Sequence, residues 1–465
     1  NSAQRNGGAF YMKKGSRAVW IAESYFISNI AGDDGGALYL CNGSSVHWTA
    51  VSHFLGNAAE DVGGALCLWD GCSGVWDAKS SFSNNNANRS GGALHIVTNC
   101  SAVWTAASGL FANTAGEFGG ALSAWEGSNV KWTTSSNFSG NSAGKKGGAL
   151  HFRGGTSAIW MAESSFLANT AQADGGGLAI TDHSISVWNA VSNFSINSAQ
   201  RDGGALFMEE GSRAVWTAES YFISNNAGDD GGALYLCNGS SVSWTAASYF
   251  HGNSADDDGG AICLWDGCNG VWNATSSFCN NSANGNGGAL EIVTNCSAVW
   301  TAPSYFSGNC AGTVGGALSL WNDGTGVWDA ASFFSNNNAN QSGGALRSFN
   351  VPESSNAVSS PGSNTTFLHN SADVSGGAVY LEGIGIGTHF RHVNFVGNVA
   401  PSGGGVHATG SGTTATVNNN IQQNNPTTFD GCSFVDNFAS ATGGAVDSAS
   451  GQDVFLDTLF KGNKA

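Results

Sequence analysis

The sequence predicts an all-β protein, a single-stranded parallel β-helix solenoid of about 16 coils with about 28 residues per coil in its regular part. Three observations predict this fold: a glycine pair that returns at a fixed interval, residue columns with the parity of a strand, and corners rich in Gly and Asn. We expect a right-handed coil, because parallel strands of one sheet are almost always joined by right-handed crossovers.

The glycine pair sets the period. It usually reads Gly-Gly-Ala-Leu, and its first glycine is residue 7, 35, 63, 91, 119, 147, 175, 203, 231, 259, 287, 315 and 343. Later pairs begin at residues 376, 403 and 443, so the spacing is no longer constant there. We therefore divide the predicted β-helix into a regular region, residues 1–342, and irregular C-terminal coils of the same β-helix, residues 343–465.

Fixed columns indicate which side of each coil is buried. When the first glycine is numbered 0, coil position 13 is Trp, 17 is Ser, 22 is Asn and 24 is Ala in twelve consecutive coils, and position 19 is Phe in eleven. Positions 13, 15, 17 and 19 share one face of a strand, whereas positions 14, 16 and 18, and likewise position 4, vary and should face solvent. We expect Trp160 to be stacked between Trp132 and Trp188, and the asparagines to form a hydrogen-bonded ladder.

The pairing of GGA[ILV] with Phe-x-x-Asn resembles the repeat of the polymorphic outer membrane proteins, β-helical surface passengers best known from chlamydiae. Phe-x-x-Asn continues into the irregular coils, at residues 367–370, 395–398, 434–437 and 460–463, so the resemblance covers nearly the whole chain. It implies a β-helical passenger at a cell surface. The exact spacing and the Trp column are more regular than the usual repeat of that family.

A second, longer period overlies the first. The sequence from residue 197 onward nearly copies the sequence from residue 1 onward, and CLWDGC at 67–72 returns at 263–268. The offset is seven coils of 28 residues. Length adjusted by copying suits a structural element better than an active site, because an active site requires unique residues.

The composition excludes some partners. The chain has 33 acidic and 16 basic residues and a formal net charge of −17, which argues against nucleic acid and anionic membranes. It contains no apolar run near the roughly 18 residues that a membrane span requires. We therefore expect no nucleic-acid partner and no direct membrane insertion.

The cysteines recur in neighbouring coils. Cys72 and Cys100 share coil position 9, as do Cys268 and Cys296, and stacking brings such Cα atoms to about 4.8 Å, within disulfide range. The candidate disulfides join Cys72 with Cys100, Cys268 with Cys296, Cys41 with Cys67, Cys237 with Cys263, and Cys279 with Cys310. Cys432 has no partner in this scheme. Disulfides would indicate secretion, and the alternative is a set of buried thiols.

Sequons for N-glycosylation are frequent. They begin at Asn42, Asn88, Asn99, Asn137, Asn193, Asn238, Asn273, Asn280, Asn295, Asn340 and Asn364. A sequence this rich in Asn and Ser gives about this number by chance, so the count alone is not evidence. The ladder asparagine is never a sequon, since Ala follows it at position 24.

Acidic side chains gather at coil positions 26 and 27, and most have a base one coil away, which predicts a surface ion ladder. The adjacent like pairs Asp33/Asp61 and Asp229/Asp257 are exceptions that could hold Ca²⁺. No phosphate loop, nucleophile elbow or zinc motif is present in the sequence. We expect no catalytic residues, no metal and no cofactor, with Ca²⁺ as the open alternative.

Aromatic residues recur at the outward position 18. They are Tyr25, Tyr221, Tyr249, Tyr305 and Phe333. Such a stripe could pack on sugar rings or on another protein, and the alternative is a set of scattered surface aromatics.

Three functions follow, in order of preference. The first is an extracellular structural rod, a head-to-tail filament or surface-fibre subunit, because open β-helix ends expose strand edges that another copy can pair with. The second is a surface adhesin or autotransporter passenger that binds glycans or host and cell-surface proteins. The third is a polysaccharide-active enzyme, since β-helices also serve carbohydrate lyases and hydrolases. All three place the chain outside the cell or at its surface.

Overall fold

The structure, a computed structural model, describes residues 1–349, 358–359, 364–383, 389–409, 416–417, 420–421, 427–450 and 453–465. The fold class predicted from the sequence is confirmed: the described chain is an all-β parallel solenoid without helices, with about 15 turns of about 28 residues. Two compact units are present. Unit 1 comprises Asn1–Gly228 and Ala233–Ser241, and unit 2 comprises Asp229–Gly232 and Val242–Ala465.

Each regular turn contains four short strands that belong to four parallel sheets. In the turn that begins at residue 63 they are Leu66–Trp69, Ser73–Trp76, Ser80–Ser83 and Asn86–Ala87. We name the four sheets the Leu, Trp, Phe and Ala sheets after these strands. Each strand pairs in parallel with the equivalent strands one turn before and one turn after, in a register of 28 residues.

In unit 1 every sheet gains one strand per turn. The Leu sheet consists of Phe10–Met12, Leu38–Cys41, Leu66–Trp69, Leu94–Val97, Leu122–Trp125, Leu150–Arg153, Leu178–Ile180, Leu206–Met208 and Leu234–Leu236. The Trp sheet consists of Arg17–Trp20, Ser45–Trp48, Ser73–Trp76, Ser101–Trp104, Asn129–Trp132, Ser157–Trp160, Ile185–Trp188 and Arg213–Trp216. The Phe sheet consists of Ser24–Ile27, Ser52–Leu55, Ser80–Ser83, Ser108–Phe111, Ser136–Ser139, Ser164–Leu167, Ser192–Ser195 and Ser220–Ile223. The Ala sheet consists of Ser2–Ala3, Ile30–Ala31, Ala58–Ala59, Asn86–Ala87, Thr114–Ala115, Ser142–Ala143, Thr170–Ala171, Ser198–Ala199 and Asn226–Ala227.

Unit 2 repeats this arrangement, and the strand Ser241–Trp244 spans the division between the units. Its Leu sheet consists of Ile262–Leu264, Leu290–Val293, Leu318–Trp321, Leu346–Phe349, Val379–Glu382, Val406–Thr409 and Val446–Ser450. Its Trp sheet contains Asn269–Trp272, Ser297–Trp300, Thr325–Trp328 and Val358–Ser359. Its Phe sheet consists of Ser248–His251, Ser276–Cys279, Ser304–Ser307, Ser332–Ser335, Thr366–Leu368, Asn394–Val396, Ser433–Val435 and Leu459–Lys461. Its Ala sheet consists of Ser254–Ala255, Ser282–Ala283, Cys310–Ala311, Asn338–Ala339, Ser371–Ala372, Val399–Ser402 and Phe438–Thr442.

Two smaller sheets accompany the irregular turns of unit 2. His389–Arg391, Thr427–Asp430 and Asp453–Leu456 form a parallel sheet of three strands. Thr416–Val417 and Asn420–Ile421 form an antiparallel pair. Asn420–Ile421 lies within a polar stretch of the sequence, residues 418–431, and the main sheets continue in the described residues on either side of it.

Identical aromatic rings stack along the interior. Trp160 is fully buried, and its ring centroid lies 4.9 Å from that of Trp132 and 4.6 Å from that of Trp188. Phe166 meets Trp160 edge-on at 6.1 Å within the same turn. The predicted burial and stacking of Trp160 are confirmed. Parallel strands at their normal spacing bring like rings into contact, so one ring type can repeat without a change in packing.

The asparagine column forms the predicted ladder. The Asn141 side-chain amide donates to Asn169 Oδ1 at 3.0 Å and to the Leu110 carbonyl at 2.9 Å. Its own Oδ1 accepts the backbone and side-chain N–H groups of Asn113, each at 3.0 Å. Every polar atom of this buried side chain therefore has a partner, and the partners lie in the turns on either side.

The two glycines of each pair are required for different reasons. Gly91 has a φ of 64°, in the left-handed region that favours glycine. Gly92 has an ordinary φ, but a Cβ there would overlap the carbonyl oxygens of Gly120 and Thr114. The first glycine therefore makes the corner, and the second lets successive turns approach closely.

One indole bonds to the serine column. The Trp216 Nε1–H donates to Ser192 Oγ at 3.1 Å, from position 13 of one turn to position 17 of the preceding turn. Most other buried indoles and column serines have no hydrogen-bond partner, among them Trp160 and Ser136, so this contact does not account for the unvarying serine.

The Leu sheet is buried on both faces, which differs from the expectation that variable positions face solvent. At coil position 4, Cys67, His95 and His151 are at most 2% exposed. Residues from positions 27 and 6 of neighbouring turns cover them. The Phe118 ring stacks on His151 at 5.0 Å, and Trp125 meets His95 edge-on at 5.1 Å. The residue type at coil position 4 varies together with the residues of neighbouring turns that cover it.

We predict that Asn141→Ala lowers the free energy of unfolding by about 3 kcal/mol, because it leaves two buried donors of Asn113 without an acceptor and removes the hydrogen bond to the Leu110 carbonyl. Urea denaturation of the full chain, followed by circular dichroism, measures the change. Asn189→Ala is the matched control on the exposed outer face and should change stability by less than about 0.5 kcal/mol. Equal effects of the two substitutions would contradict the ladder as a stabilising feature.

Candidate functional site

A groove of about 530 Å³ lies on the outer face of the Phe sheet in unit 1. Its centre is formed at coil position 18 of consecutive turns, where the residues are small or polar: Ser81, Gly109 and Asn137. The ring of Phe111 lies across Gly109, and a Cβ at residue 109 would overlap it. Because Gly109 has no side chain, the Phe111 ring can lie across it and form the floor of the groove.

The rim of the groove carries opposite charges. Lys79 and Glu163 line it at coil position 16, three turns apart, and His53 lies at one end. The His53 ring stacks on Tyr25 at 4.9 Å, and its Nε2 lies 3.1 Å from a carboxylate oxygen of Glu23. The groove therefore offers hydroxyl, amide, imidazole, ammonium and carboxylate groups on a fixed strand scaffold. This chemistry suits a polar ligand held by hydrogen bonds.

The second copy carries a different surface at the same coil positions. Gly109 and Asn137 correspond to Tyr305 and Phe333, whose rings stack at 5.3 Å and are 41% and 40% exposed. The outward orientation predicted for the position 18 aromatics is confirmed, since the remaining three are exposed or half-buried: Tyr25, Tyr221 and Tyr249. Sequence analysis found these aromatics but missed the groove. The feature of the sequence that indicates the groove is the run of small residues at coil position 18.

The ion ladder at coil position 26 is present in unit 1. Arg5 Nε lies 3.2 Å from Asp33, and Arg89 Nη1 lies 3.0 Å from Asp61. Both pairs are exposed, so each contributes at most about 1 kcal/mol. The like pair Asp33/Asp61, named above as a possible Ca²⁺ site, therefore has an arginine partner for each carboxylate.

Unit 2 contains a cluster of three carboxylates. Ligand oxygens of Asp230, Asp257 and Asp258 all lie within 4.8 Å of one another. The Asp258 backbone N–H donates to Asp230 Oδ1 at 2.9 Å. Partial burial raises the pKa of Asp258, and the charge of Asp257 adds to this. The sequence prediction of an acidic pair, Asp229 with Asp257, identified one of the three members.

A buried carboxylate lies next to this cluster. Glu291, at coil position 4, is 2% exposed, and its Oε2 has no hydrogen-bond partner. Burial, and then the charge of Asp258, raise the pKa of Glu291 well above its usual range. Arg347, also at coil position 4, packs its guanidinium over Trp321 at 4.2 Å. The row of position 4 thus holds ionisable groups that sequence analysis assigned to the solvent side.

Two of the candidate cysteine pairs are brought together. The Cys72 and Cys100 thiols share a hydrogen bond that lowers the pKa of Cys72 to about 7, and the Cys72 backbone N–H lies 3.1 Å from Cys100 Sγ. The Cys268 backbone N–H lies 3.1 Å from Cys296 Sγ in the same way. Both pairs are buried thiols in the structure, so the register is confirmed but the predicted disulfides are not supported.

The other cysteines lie in different surroundings. Cys41 and Cys67 belong to one buried cluster with Tyr39 and Val62. Cys279 and Cys310 lie on strands of different sheets, the Phe and Ala sheets. Of the remaining three, Cys237 is half-buried, and Cys263 and Cys432 are buried. Burial raises the pKa of Cys237 to about 12 and that of Cys432 to about 11.

The sequons lie at the surface. Ten of the eleven asparagines are exposed and Asn193 is half-buried. Asn137 is both a sequon and a residue of the groove. The accessibility that glycosylation requires is therefore present, whereas the ladder asparagines are inaccessible.

The fold and its outer face define a class: a parallel β-helix repeat protein whose variable surface is carried by a fixed core. Within that class, the chain carries the Chlamydia polymorphic membrane protein repeat, which matches residues 79–97, 135–153, 247–264, 275–292 and 364–382. Each match runs from the Phe strand through the ladder asparagine to the glycine pair and the Leu strand. The resemblance inferred from the sequence is thereby confirmed, and it supports a cell-surface location.

Comparison with curated proteins gave no match, and comparison with solved structures gave none either. Within the described ranges, no helix has the length and hydrophobicity needed to cross a membrane.

We predict that the two buried histidines make the fold acid-sensitive. Burial lowers the pKa of His95 and His151 to about 3, so these rings stay neutral in the folded chain, whereas the unfolded chain protonates them below about pH 6.5. The unfolded state then binds more protons, and stability falls as pH decreases from about 6.5 toward 3, at up to about 1.4 kcal/mol per pH unit for each histidine.

The double variant His95→Ser, His151→Ala carries the residues that the neighbouring turns have at coil position 4. Urea denaturation across this pH window should show a flatter pH dependence for the variant. A comparison at about pH 7.5, where the wild-type rings are neutral in both states, isolates any packing loss. Parallel pH profiles for the two proteins would contradict the assignment.

Proposed function

We propose that the chain is the ligand-binding β-helical region of a cell-surface protein, an adhesin-like passenger without enzymatic activity. The observation that carries this proposal is the polar groove of unit 1. The repeats fix the core, so differences between turns are confined to outward positions, where binding specificity can change without altering the fold. The partner we propose is a cell-surface glycan or glycoprotein.

The composition of the groove supports binding over catalysis. Serine hydroxyls, the Asn137 amide and the His53 imidazole can donate to and accept from sugar hydroxyls, and the exposed Tyr25 ring provides a stacking surface beside them. Among the residues that line the groove, all of which are described, Glu163 is the sole carboxylate. Glycoside hydrolysis uses a pair of carboxylates, so the groove does not fit a hydrolase.

The second internal copy supplies the substitutions for a variant that tests the groove. The variant Gly109→Tyr, Phe111→Ser, Asn137→Phe converts it into the aromatic ridge of the second copy, where the same backbone accommodates Tyr305, Ser307 and Phe333. We predict that this variant folds and loses at least about 10-fold in affinity for its glycan ligand or for target cells, because about two hydrogen-bonding groups become inaccessible. A glycan array followed by a cell-binding assay measures the change.

The reverse exchange is the matched control. Tyr305→Gly, Phe333→Asn alters the equivalent face of unit 2 and should leave groove-dependent binding unchanged. If the groove variant binds as the wild type does, the groove is not the contact surface. If only the control loses binding, the aromatic ridge of unit 2 is the contact surface.

Secretion makes two further proposals testable in one experiment. On material purified from the native surface, we predict a disulfide between Cys72 and Cys100 and another between Cys268 and Cys296, because these thiols already lie in contact in adjacent turns. If the source cell glycosylates proteins, glycans should occupy exposed sequons such as Asn137. Non-reducing peptide mapping by mass spectrometry detects both. Complete alkylation of the four thiols before reduction would rule out the disulfides.

Head-to-tail assembly into a filament remains a prediction from the sequence. Apolar side chains are exposed on the first and last described turns, among them Phe10 at 45% and Phe460 at 48%. Further coils of the same chain or a second copy would both cover such faces.

A further inference from the structure

We infer that Asp230, Asp257, Asp258 and Glu291 of unit 2 form a binding site for a divalent cation of the Ca²⁺ type. This site is separate from the groove and does not depend on the function proposed above. Geometry, a buried carboxylate oxygen without a hydrogen-bond partner and the difference between the two internal copies support it independently.

The three clustered carboxylates lie close enough together to share one divalent cation. Their ligand oxygens lie within 4.8 Å of one another. Two oxygens on opposite sides of Ca²⁺, each at about 2.4 Å, are about 4.8 Å apart. Hydrogen bonds hold the groups in place, since Asp258 N–H donates to Asp230 Oδ1 and Asn286 N–H donates to Asp258 Oδ1. Oxygens of Asp257 and Asp258 both face the space above the Gly285 backbone, where a side chain would displace them.

Glu291 supplies a fourth carboxylate from the next turn. Phe118 at coil position 27 stacks on His151 at position 4, thirty-three residues later, and Asp258 and Glu291 have the same separation and the same coil positions. These positions place Asp258 beside Glu291, and the negative charge of Asp258 acts on the Glu291 carboxyl. With 2% exposure and an unpartnered Oε2, Glu291 is a buried acid that faces other acids. Such an arrangement is unfavourable unless a cation or a proton neutralises it.

The first copy shows what these positions look like without a cation site. Two acids are retained between the copies, as Asp34 and Asp61 in the first and Asp230 and Asp257 in the second. Three of the surrounding differences alter the charge: Val62, Arg89 and His95 in the first copy are Asp258, Gly285 and Glu291 in the second. Two of the changes add a carboxyl group, and the third removes the guanidinium that pairs with Asp61 at 3.0 Å.

Other buried charges at coil positions 27 and 4 have their counterions within the protein. In unit 1 the side chain of Asp174 is 3% exposed and lies 3.5 Å from Lys146 Nζ. In unit 2 Arg347 lies nearest to Glu382, with Nη2 3.7 Å from Oε2, and its guanidinium is enclosed by aromatic rings. It attracts Glu291 only at a distance, because Ser319 occupies the strand between them. Glu291 thus differs from Asp174 in having no close cationic side chain.

Calcium titration of the full chain by isothermal calorimetry tests the site, with CaCl₂ as the probe and MgCl₂ for comparison. The wild type should bind one Ca²⁺ with a dissociation constant of about 10⁻⁶ to 10⁻³ M, and Mg²⁺ more weakly. The variant Asp258→Val, Gly285→Arg, Glu291→His restores the residues of the first copy, so a folded product is expected. Its affinity for Ca²⁺ should fall by about 100-fold or more.

The reciprocal variant Val62→Asp, Arg89→Gly, His95→Glu recreates the cluster in the first copy and should bind two Ca²⁺ per chain. It decides the question even if the first variant fails to fold. No Ca²⁺ uptake by the wild type at about 5 mM, or a reciprocal variant that gains no second site, would overturn the inference. Ca²⁺ uptake by the wild type that persists in the folded restoring variant would also overturn it.

Discussion

The hydrogen bond from each buried asparagine to the next is the contact on which this fold most directly depends. A parallel sheet can slip by two residues and keep its hydrophobic face, so burial alone does not set the register of successive turns. The asparagine ladder removes that freedom, because a shift would separate Asn141 from both Asn113 and Asn169. Once that register is set, the indoles, the phenyl rings and the close glycine corners come into register as well.

Much of this could be predicted from the residues. The burial of Trp160 and the asparagine ladder follow from parity and period, which depend only on backbone geometry. The outer face of the Leu sheet could not be predicted in that way. Whether His95 or Glu291 is buried depends on what the corner at position 27 places over it, and that contact joins different turns. Alternation identifies the two faces of a strand, but it does not identify a second layer that covers the outer one.

The candidate sites differ in how much of each could be predicted from the sequence. The aromatics at position 18 were identified because parity alone assigns them to the outside. The groove exists because Ser81 has a small side chain and Gly109 has none. A search of the sequence for binding or reactive groups does not detect such a space. The acidic cluster was only partly recognised. The sequence prediction paired Asp229 with Asp257 at coil position 26, whereas in the structure Asp257 meets Asp230 and Asp258, which share position 27.

The internal duplication separates scaffold from surface. Seven coils were copied, and the two copies kept the interior columns while their outer positions diverged into a polar groove in one copy and an aromatic ridge in the other. Stability and recognition are therefore carried by different residues of the same strand. Such a chain can change its ligand by substitution at outward positions and its length by copying turns.

The column of tryptophans has an optical consequence. In unit 1 the indoles from Trp20 to Trp216 follow one another at one ring per turn, and the rings of Trp188 and Trp216 are only 4.6 Å apart and within 4° of parallel. Chromophores this close and this well aligned couple their electronic transitions. Light absorbed by one ring is shared along the stack, so the emission of the protein reports on the whole column and not on any single tryptophan. Local unfolding of one turn would interrupt the coupling between indoles at that turn. Tryptophan emission therefore reports whether successive coils are in register.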